Sequence, residues 1–233
     1  MGQVIIKDAS VKNPITLIGE MIGPCYGSDT TDPQKNYKRG VNAIKSGHYR
    51  ALEYAEVWFI LEGYSARTIR QFYTCIGGAP TRTQSSTRYI DESGFKYFVP
   101  PKIEKAKKEW LLDKYMNAMN VIQDTYQILI EHGIPKEDAA NILPLGMTTT
   151  VAVRMNARTI MTMAEQRLCT RAYHEYRQLM QDLIDALKNY SKEWKTLCNQ
   201  IILCKCDKVG WCEEEFSCGK YPKKEKIKLI DVE

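Results

Sequence analysis

The stretch from Leu143 to Arg177, LPLGMTTTVAVRMNARTIMTMAEQRLCTRAYHEYR, decides how this chain is read. Thr148 to Val153 is short and β-branched, the composition of a strand. Asn156 stands where a helix should begin, and asparagine is a good N-cap. Ala157 to Arg167 carries Ile160, Met163 and Ala164 on one face at helical spacing, so a helix follows the strand. Arg158 and Arg167 fall on this strand-to-helix unit. Its fresh helix N-terminus is a good place to hold anionic or polar ligand groups. Taken alone, the same two residues read as solvated arginines on an amphipathic helix.

Working outward, 233 residues suffice for one substantial domain with a sizeable core. A hydrophobic content of 44% and a charged content of 26% are ordinary for a globular protein. The net charge of +5 suits a nucleotide ligand and is not the concentrated basic patch of a DNA binder, so no nucleic-acid partner is expected. No apolar run is long enough to span a membrane. The opening MGQVIIKDASVKN lacks the apolar core of a signal peptide, which predicts a cytoplasmic protein. In that compartment the eight cysteines are thiols or metal ligands rather than disulfides.

In chain order, Val4 to Ile6 reads as a first strand. Pro14 to Ile22 reads as an amphipathic helix burying Ile15, Leu17 and Ile18. The turn-rich GPCYGSDTTD follows, with Cys25 and Tyr26 read as a small structural apolar pair. Pro33 then opens a helix that turns Tyr37, Val41 and Ile44 inward. Val57 to Glu62 is a strand and Ser65 to Thr74 a helix. Ser93-Gly94 marks a turn, predicting a hairpin between Tyr89-Ile90 and Phe95 to Val99. Pro100 and Pro101 end it and open a long helix to about Glu131. Its buried stripe is read as Ile103, Ala106, Trp110, Ala118, Ile122, Tyr126 and Leu129, with Gly133 as cap. A last long helix, Arg171 to Asn189, buries Tyr176, Leu179, Leu183 and Leu187. Two regions result: an α/β domain over 1–195 and a cysteine-rich tail over 196–233. The tail cysteines lack paired Cys-x-x-Cys spacing, so no metal ligands are assigned, although close thiolates are the chemistry that zinc takes. The final KKEKIKLIDVE reads as a frayed end.

The order of residues in the opening stretch resembles the C-terminal signature of the flavin-dependent thymidylate synthases. There a leucine-proline pair leads into a strand ending in Asn-Ala-Arg, and a second arginine follows eleven residues after the asparagine. Leu143-Pro144, Asn156-Ala157-Arg158 and Arg167 fit that spacing, and Tyr173, Glu175 and Arg177 fit its continuation. Upstream, Gly47-His48, Leu52-Glu53-Tyr54-Ala55 and Glu62-Gly63 resemble the family's Gly-His, Leu-Glu-His-Ala and Glu-Gly. Tyr54 thus replaces a histidine that lies against the flavin; it can stack and hydrogen-bond, but it carries no positive charge. Gln84, Ser86, Arg88 and Tyr89 resemble the second half of the family's signature motif. The first half, Arg-His-Arg, has no counterpart: alignment places Thr74-Cys75-Ile76 or Ile76-Gly77-Gly78 there, with Arg82 nearby. GIPKEDAANILPLG matches the segment before the leucine-proline pair, but a family arginine that contacts dUMP falls on Ala140. The tail string CDKVGWCEEEFSCGKYP resembles the tails of some bacterial members.

The resemblance implies an α/β fold with a central mixed or antiparallel sheet flanked by long helices, assembled as a homotetramer with sites shared between subunits. It implies transfer of a one-carbon unit from methylenetetrahydrofolate to C5 of dUMP or a close pyrimidine nucleotide, with FAD as cofactor and NADPH as reductant. By the same resemblance Arg167 is catalytic. Gln71, Gln84, Ser85, Ser86 and Arg88 bind substrate, the last two by the phosphate chemistry that hydroxyl and guanidinium groups suit. Asn156, Arg158, Thr162 and Tyr54 bind the cofactor. The missing cations leave an alternative open: a diverged, non-catalytic nucleotide-binding or partner subunit of the same fold.

Overall fold

The structure, a computed structural model, describes residues 2–74 and 81–224. The strands are β1 (Gln3–Ile6), β2 (Glu56–Ser65), β3 (Thr81–Gln84) and β4 (Thr148–Asn156). The helices are α1 (Pro14–Ile22), α2 (Pro33–Lys45), α3 (Ala66–Phe72), α4 (Pro101–Glu104), α5 (Trp110–Glu131), α6 (Lys136–Ala139), α7 (Ala157–Arg167), α8 (His174–Tyr190), α9 (Lys192–Gln200) and α10 (Lys205–Val209). One antiparallel sheet has the order β1-β2-β4-β3. Lys7 N–H reaches the Trp58 carbonyl at 2.8 Å, and Ala157 N–H reaches that of Ala55 at 2.9 Å, which sets the register of β2 against both neighbours. Among the described residues no helix is long and apolar enough to cross a membrane.

The chain forms two compact units. The first holds Met1–Gln3, Ile60–Thr74 and Arg82–Ala152. Its packing centres on Phe95, Met119 and Met147, with Tyr97, Tyr115, Ile122 and Leu143 around them. Tyr115 donates to the Phe98 carbonyl at 2.9 Å, and Gln123 donates to that of Phe95 at 2.6 Å. These bonds fix the strandless segment before α4 to α5. Helix α5 ends as its sequence directs: Gly133 takes φ +79°, and Ile134 N–H closes back on the Leu129 carbonyl at 3.0 Å.

Among the described residues, the second unit holds Val4–Phe59 and residues 153–224. Its core joins Ile15 and Ile18 of α1, Ile160 and Ala164 of α7, and Tyr176, Leu179, Leu183 and Leu187 of α8, all fully buried. Trp194 is buried as well, and its indole N–H donates to the Val11 carbonyl at 2.7 Å. Helices α1 and α2 meet backbone to backbone. A Cβ on Gly19 would lie 1.8 Å from the Asn36 carbonyl oxygen, and one on Gly40 would lie 2.1 Å from that of Ile15.

Several sequence expectations are corrected. Tyr89-Ile90 and Phe95 to Val99 form no hairpin. Thr81–Gln84 is the strand instead, and Tyr97 makes a single antiparallel bridge to Met147. The cause is competition for partners: Phe98 N–H bonds the Gly146 carbonyl and Thr148 N–H that of Lys96, so this run docks at the start of β4. The long helix is broken into α4 and α5 across the lysine-rich 105–108, where the half-buried Ala106 is the one apolar residue and brings little area to anchor a continuous helix. Of its expected stripe only Tyr126 is fully buried, joined by Met119, whereas Trp110 is 55% exposed. In α2 the inward face is Asn36, Gly40, Ala43 and Ile44; Tyr37 and Val41 are half-buried because the glycine contact sets the rotation. Leu17 is half-buried, and Cys25 and Tyr26 are exposed. The last long helix starts at His174, since 169–172 is a turn closed by Ala172 N–H on the Cys169 carbonyl. The glycine pair Gly77-Gly78, the Arg-His-Arg position and residues 225–233 lie outside the described residues.

The close approach of α1 and α2 makes a sharp prediction. Gly40→Ala gains about 1 kcal/mol of helix propensity but drives a methyl group into backbone that cannot step aside. A net loss of about 1–3 kcal/mol is expected, read as a lower urea midpoint with an unchanged slope. An unchanged or higher midpoint would show that the helices separate freely.

Candidate functional site

The junction of β4 and α7 positions the residues expected at the cofactor. Asn156 ends the strand in an extended conformation, and its Oδ1 accepts from Thr159 N–H at 2.9 Å and from the Thr159 hydroxyl at 3.0 Å. The asparagine therefore caps the helix, as the sequence predicts, and is buried while doing so. The next residue's N–H, on Ala157, is held by the Ala55 carbonyl, which sets α7 beside the 49–54 turn. Arg158 then lies 3.8 Å from Glu53, and Glu53 adjoins Tyr54. Tyr54 faces a cleft of about 470 Å³ together with His48, Arg50, Glu53, Tyr26 and Met21. Three of the four expected cofactor residues thus meet around one turn. Thr162 is exposed one helical turn on, its hydroxyl bonded back to the Arg158 carbonyl at 3.1 Å.

Arg167 is elsewhere. Nine residues along an α-helix make two and a half turns, so Arg158 and Arg167 occupy opposite ends and opposite faces of α7. Arg167 is in the last turn, where the helix dipole favours its own charge and draws no anion. Its guanidinium carbon sits 4.8 Å over the ring of the fully buried Tyr176. Among the described residues it takes part in no ion pair. A half-buried guanidinium seated on an aromatic face keeps its planar fork of donors for a planar polar partner.

The substrate-binding candidates lie in the first unit. Gln71 is half-buried near the end of α3. Gln84 Nε2 donates to the Thr149 hydroxyl at 3.3 Å, and Ser85 donates to the Thr150 carbonyl through both N–H (2.9 Å) and hydroxyl (3.2 Å). These bonds launch a turn from β3 in which the Ser86 hydroxyl accepts from Arg88 N–H at 3.3 Å. Ser86 and Arg88 therefore share one turn. Arg88 Nε donates to Glu137 at 2.7 Å, and Lys136 Nζ donates to the Tyr89 carbonyl at 3.0 Å, so two residues of α6 hold the turn from the other side. Sequence reasoning passed over Lys136 and Glu137; the only sign of them was their place in GIPKEDAANILPLG. The Arg88–Glu137 pair is more than half exposed on both sides, so it contributes at most about 1 kcal/mol and an anion can displace it. Arg82 is committed to the Phe72 carbonyl at 3.2 Å and to the Tyr73 ring.

A four-stranded antiparallel sheet with helices defines an α/β protein. The thymidylate synthase complementing protein family model matches residues 8–191. The chain belongs to that family. It is 34% identical over 149 residues to the flavin-dependent thymidylate synthase of Sulfolobus acidocaldarius, covering 63% of this chain and 55% of that relative. The match thus spans little more than half of the archaeal protein's length. To the Clostridium tetani flavin-dependent thymidylate synthase it is 27% identical over 242 residues, 93% of each chain. Among solved structures, a UMP/dUMP methylase, PolB, from Streptomyces cacaoi bound with 5-Br dUMP aligns with a TM-score of 0.67 at 17% identity, over 85% of this chain and 95% of that one. That likeness bears on the fold.

The cap can be tested apart from any activity. Asn156→Ala should lower stability by about 1 kcal/mol, up to about 2, whereas Asn156→Asp keeps the acceptor and stays near wild type in a thermal melt. Equal melting of all three proteins would remove the cap from the account of the junction.

Proposed function

We infer that this chain transfers a one-carbon unit to C5 of dUMP or a close pyrimidine nucleotide, in a flavin- and folate-dependent reaction. The observation that carries the reading is Arg167, half-buried on Tyr176 with no carboxylate partner among the described residues. Its fork of donors suits a uracil edge and stabilises negative charge that develops there. By the resemblance, Ser86 and Arg88 hold the phosphate of a nucleotide bound in a neighbouring subunit, Arg88 exchanging Glu137 for it, and Gln71, Gln84 and Ser85 complete that side. Tyr54, Arg158, Asn156 and Thr162 border the flavin. The cleft fits such a group in kind: it offers an aromatic face on Tyr54 and a cation on Arg50, and Arg158 lies 3.8 Å from Glu53 of its wall. When bound, the flavin supplies hydride, with NADPH as reductant and methylenetetrahydrofolate as the one-carbon donor. The cytoplasm is the compartment that suits this chemistry.

A homotetramer fits the same reading. Helix α5 leaves Trp110, Leu111, Met116, Val121 and Ile128 exposed, a concentration of apolar side chains that association would cover. Light scattering is expected to give a tetramer; a stable monomer that nucleotide does not assemble would count against it.

The second reading, a nucleotide-binding subunit without synthase chemistry, is favoured by Tyr54 in place of a histidine and by Ala140 in place of an arginine. Arg167→Lys separates the two. It keeps the charge and loses the fork, so dUMP-dependent tritium release from C5 should fall roughly 100-fold, while stability shifts by no more than about 1 kcal/mol. Absence of tritium release and of FAD binding in the wild type, with dUMP still bound in calorimetry, would establish the second reading.

A further inference from the structure

Five of the eight cysteines line one cavity of about 540 Å³: Cys169, Cys204, Cys206, Cys212 and Cys218. Among the described residues no three cysteine, histidine or acidic groups are gathered to hold a metal ion. Two of the sulfurs do touch: Cys206 Sγ lies 3.5 Å from Cys204 Sγ. Cys204 is buried at the N-cap of α10, and Cys206 is half-buried in the cavity wall. Thiols two residues apart and in van der Waals contact need little movement to bond, because a disulfide tolerates Cα separations of about 4.4–6.8 Å. The cavity is of small-molecule size. Its wall carries both signs of charge, with Lys205 paired to Glu213 and Arg171 to Glu214, and Lys220 beside them. A zwitterionic peptide-like molecule matches such a lining.

We propose that Cys204 and Cys206 form a redox-active dithiol that exchanges with a low-molecular-weight, zwitterionic disulfide admitted by this cavity. The Cys206 thiolate attacks one sulfur of the small disulfide; that S–S bond breaks and one small thiolate leaves. The Cys204 sulfur then attacks the Cys206 sulfur and expels the second small thiolate. The two protein thiol protons end, through water, on the two small thiols. The external disulfide is reduced and the protein pair is oxidised by two electrons. Burial pushes the Cys204 thiol up to about 12, so its attack is the slower step and the adduct on Cys206 forms first. The chemistry is placed against the end of α7: Cys204 Sγ lies 3.8 Å from the Glu165 carbonyl, and Lys208 Nζ is 2.8 Å from the Glu165 carboxylate.

The test uses the full chain, reduced, desalted and exposed to glutathione disulfide, then acid-quenched and mapped by mass spectrometry without reduction. A transient glutathione adduct on Cys206 is expected, followed by a Cys204–Cys206 disulfide. Cys204→Ser should stop at the adduct, and Cys206→Ser should leave Cys204 unmodified. Three results would overturn the proposal: both thiols staying reduced in the wild type, oxidation joining either of them to Cys169, Cys212 or Cys218, or stoichiometric zinc in the purified protein that blocks both. The wild-type map decides by itself even if a serine variant fails to fold.

Discussion

The hydrogen bond from Ala157 N–H to the Ala55 carbonyl, with the Asn156 cap beside it, is the constraint on which the placement of α7 in the second unit depends. A helix N-terminus has four backbone N–H groups without helical partners. Here the asparagine side chain takes one of them and the Ala55 carbonyl, just before β2, takes another. The junction therefore has one orientation, and everything along α7 inherits it. Arg158 meets Glu53 at one end, and Arg167 meets Tyr176 at the other. The family's Asn-Ala-Arg thus reads physically as a cap, a tether and a cation in successive positions.

The arginines in question are held in two different ways. Arg88 is paired with a carboxylate in solvent, where attraction and side-chain entropy nearly cancel. Such a pair orients the side chain and yields to a stronger anion. Arg167 is held by an aromatic face with no competing carboxylate among the described residues, so its donors remain uncommitted. The first arrangement suits a doubly charged phosphate, the second a neutral planar edge. Arg154 shows a third case: its pair with Glu56 across β2 and β4 raises the guanidinium's proton affinity, and the group also lies 5.7 Å over Trp58. That arginine is part of the sheet's fabric.

Helices α7 and α8 were legible because their periodicity is unambiguous. Asn156 as cap, Ala157 to Arg167 as helix, and Tyr176, Leu179, Leu183 and Leu187 as the buried face of α8 follow from spacing, since one face must leave water. Helix α5 was less so: its stripe is diluted, and several apolar residues stay exposed, so pattern alone overstates what this chain buries. The break across 105–108 and the docking of Phe95 to Val99 on β4 also escaped, because a strand's partner is a tertiary choice.

The sequence by itself determined the β4-to-α7 unit, its asparagine cap and the family. It could not determine which arginines share a location. Arg158 and Arg167 stand nine residues apart in a line of text, but 3.6 residues per turn puts them on opposite faces of one helix. Lys136 and Glu137, far from Ser86 and Arg88 in the chain, were brought to their turn only by folding. The contact of Cys204 with Cys206, and the gathering of three more cysteines around it, likewise came from packing of the tail on α7. Local propensity acts along the chain, whereas a site is defined by distances through space, and those are fixed when the apolar faces close.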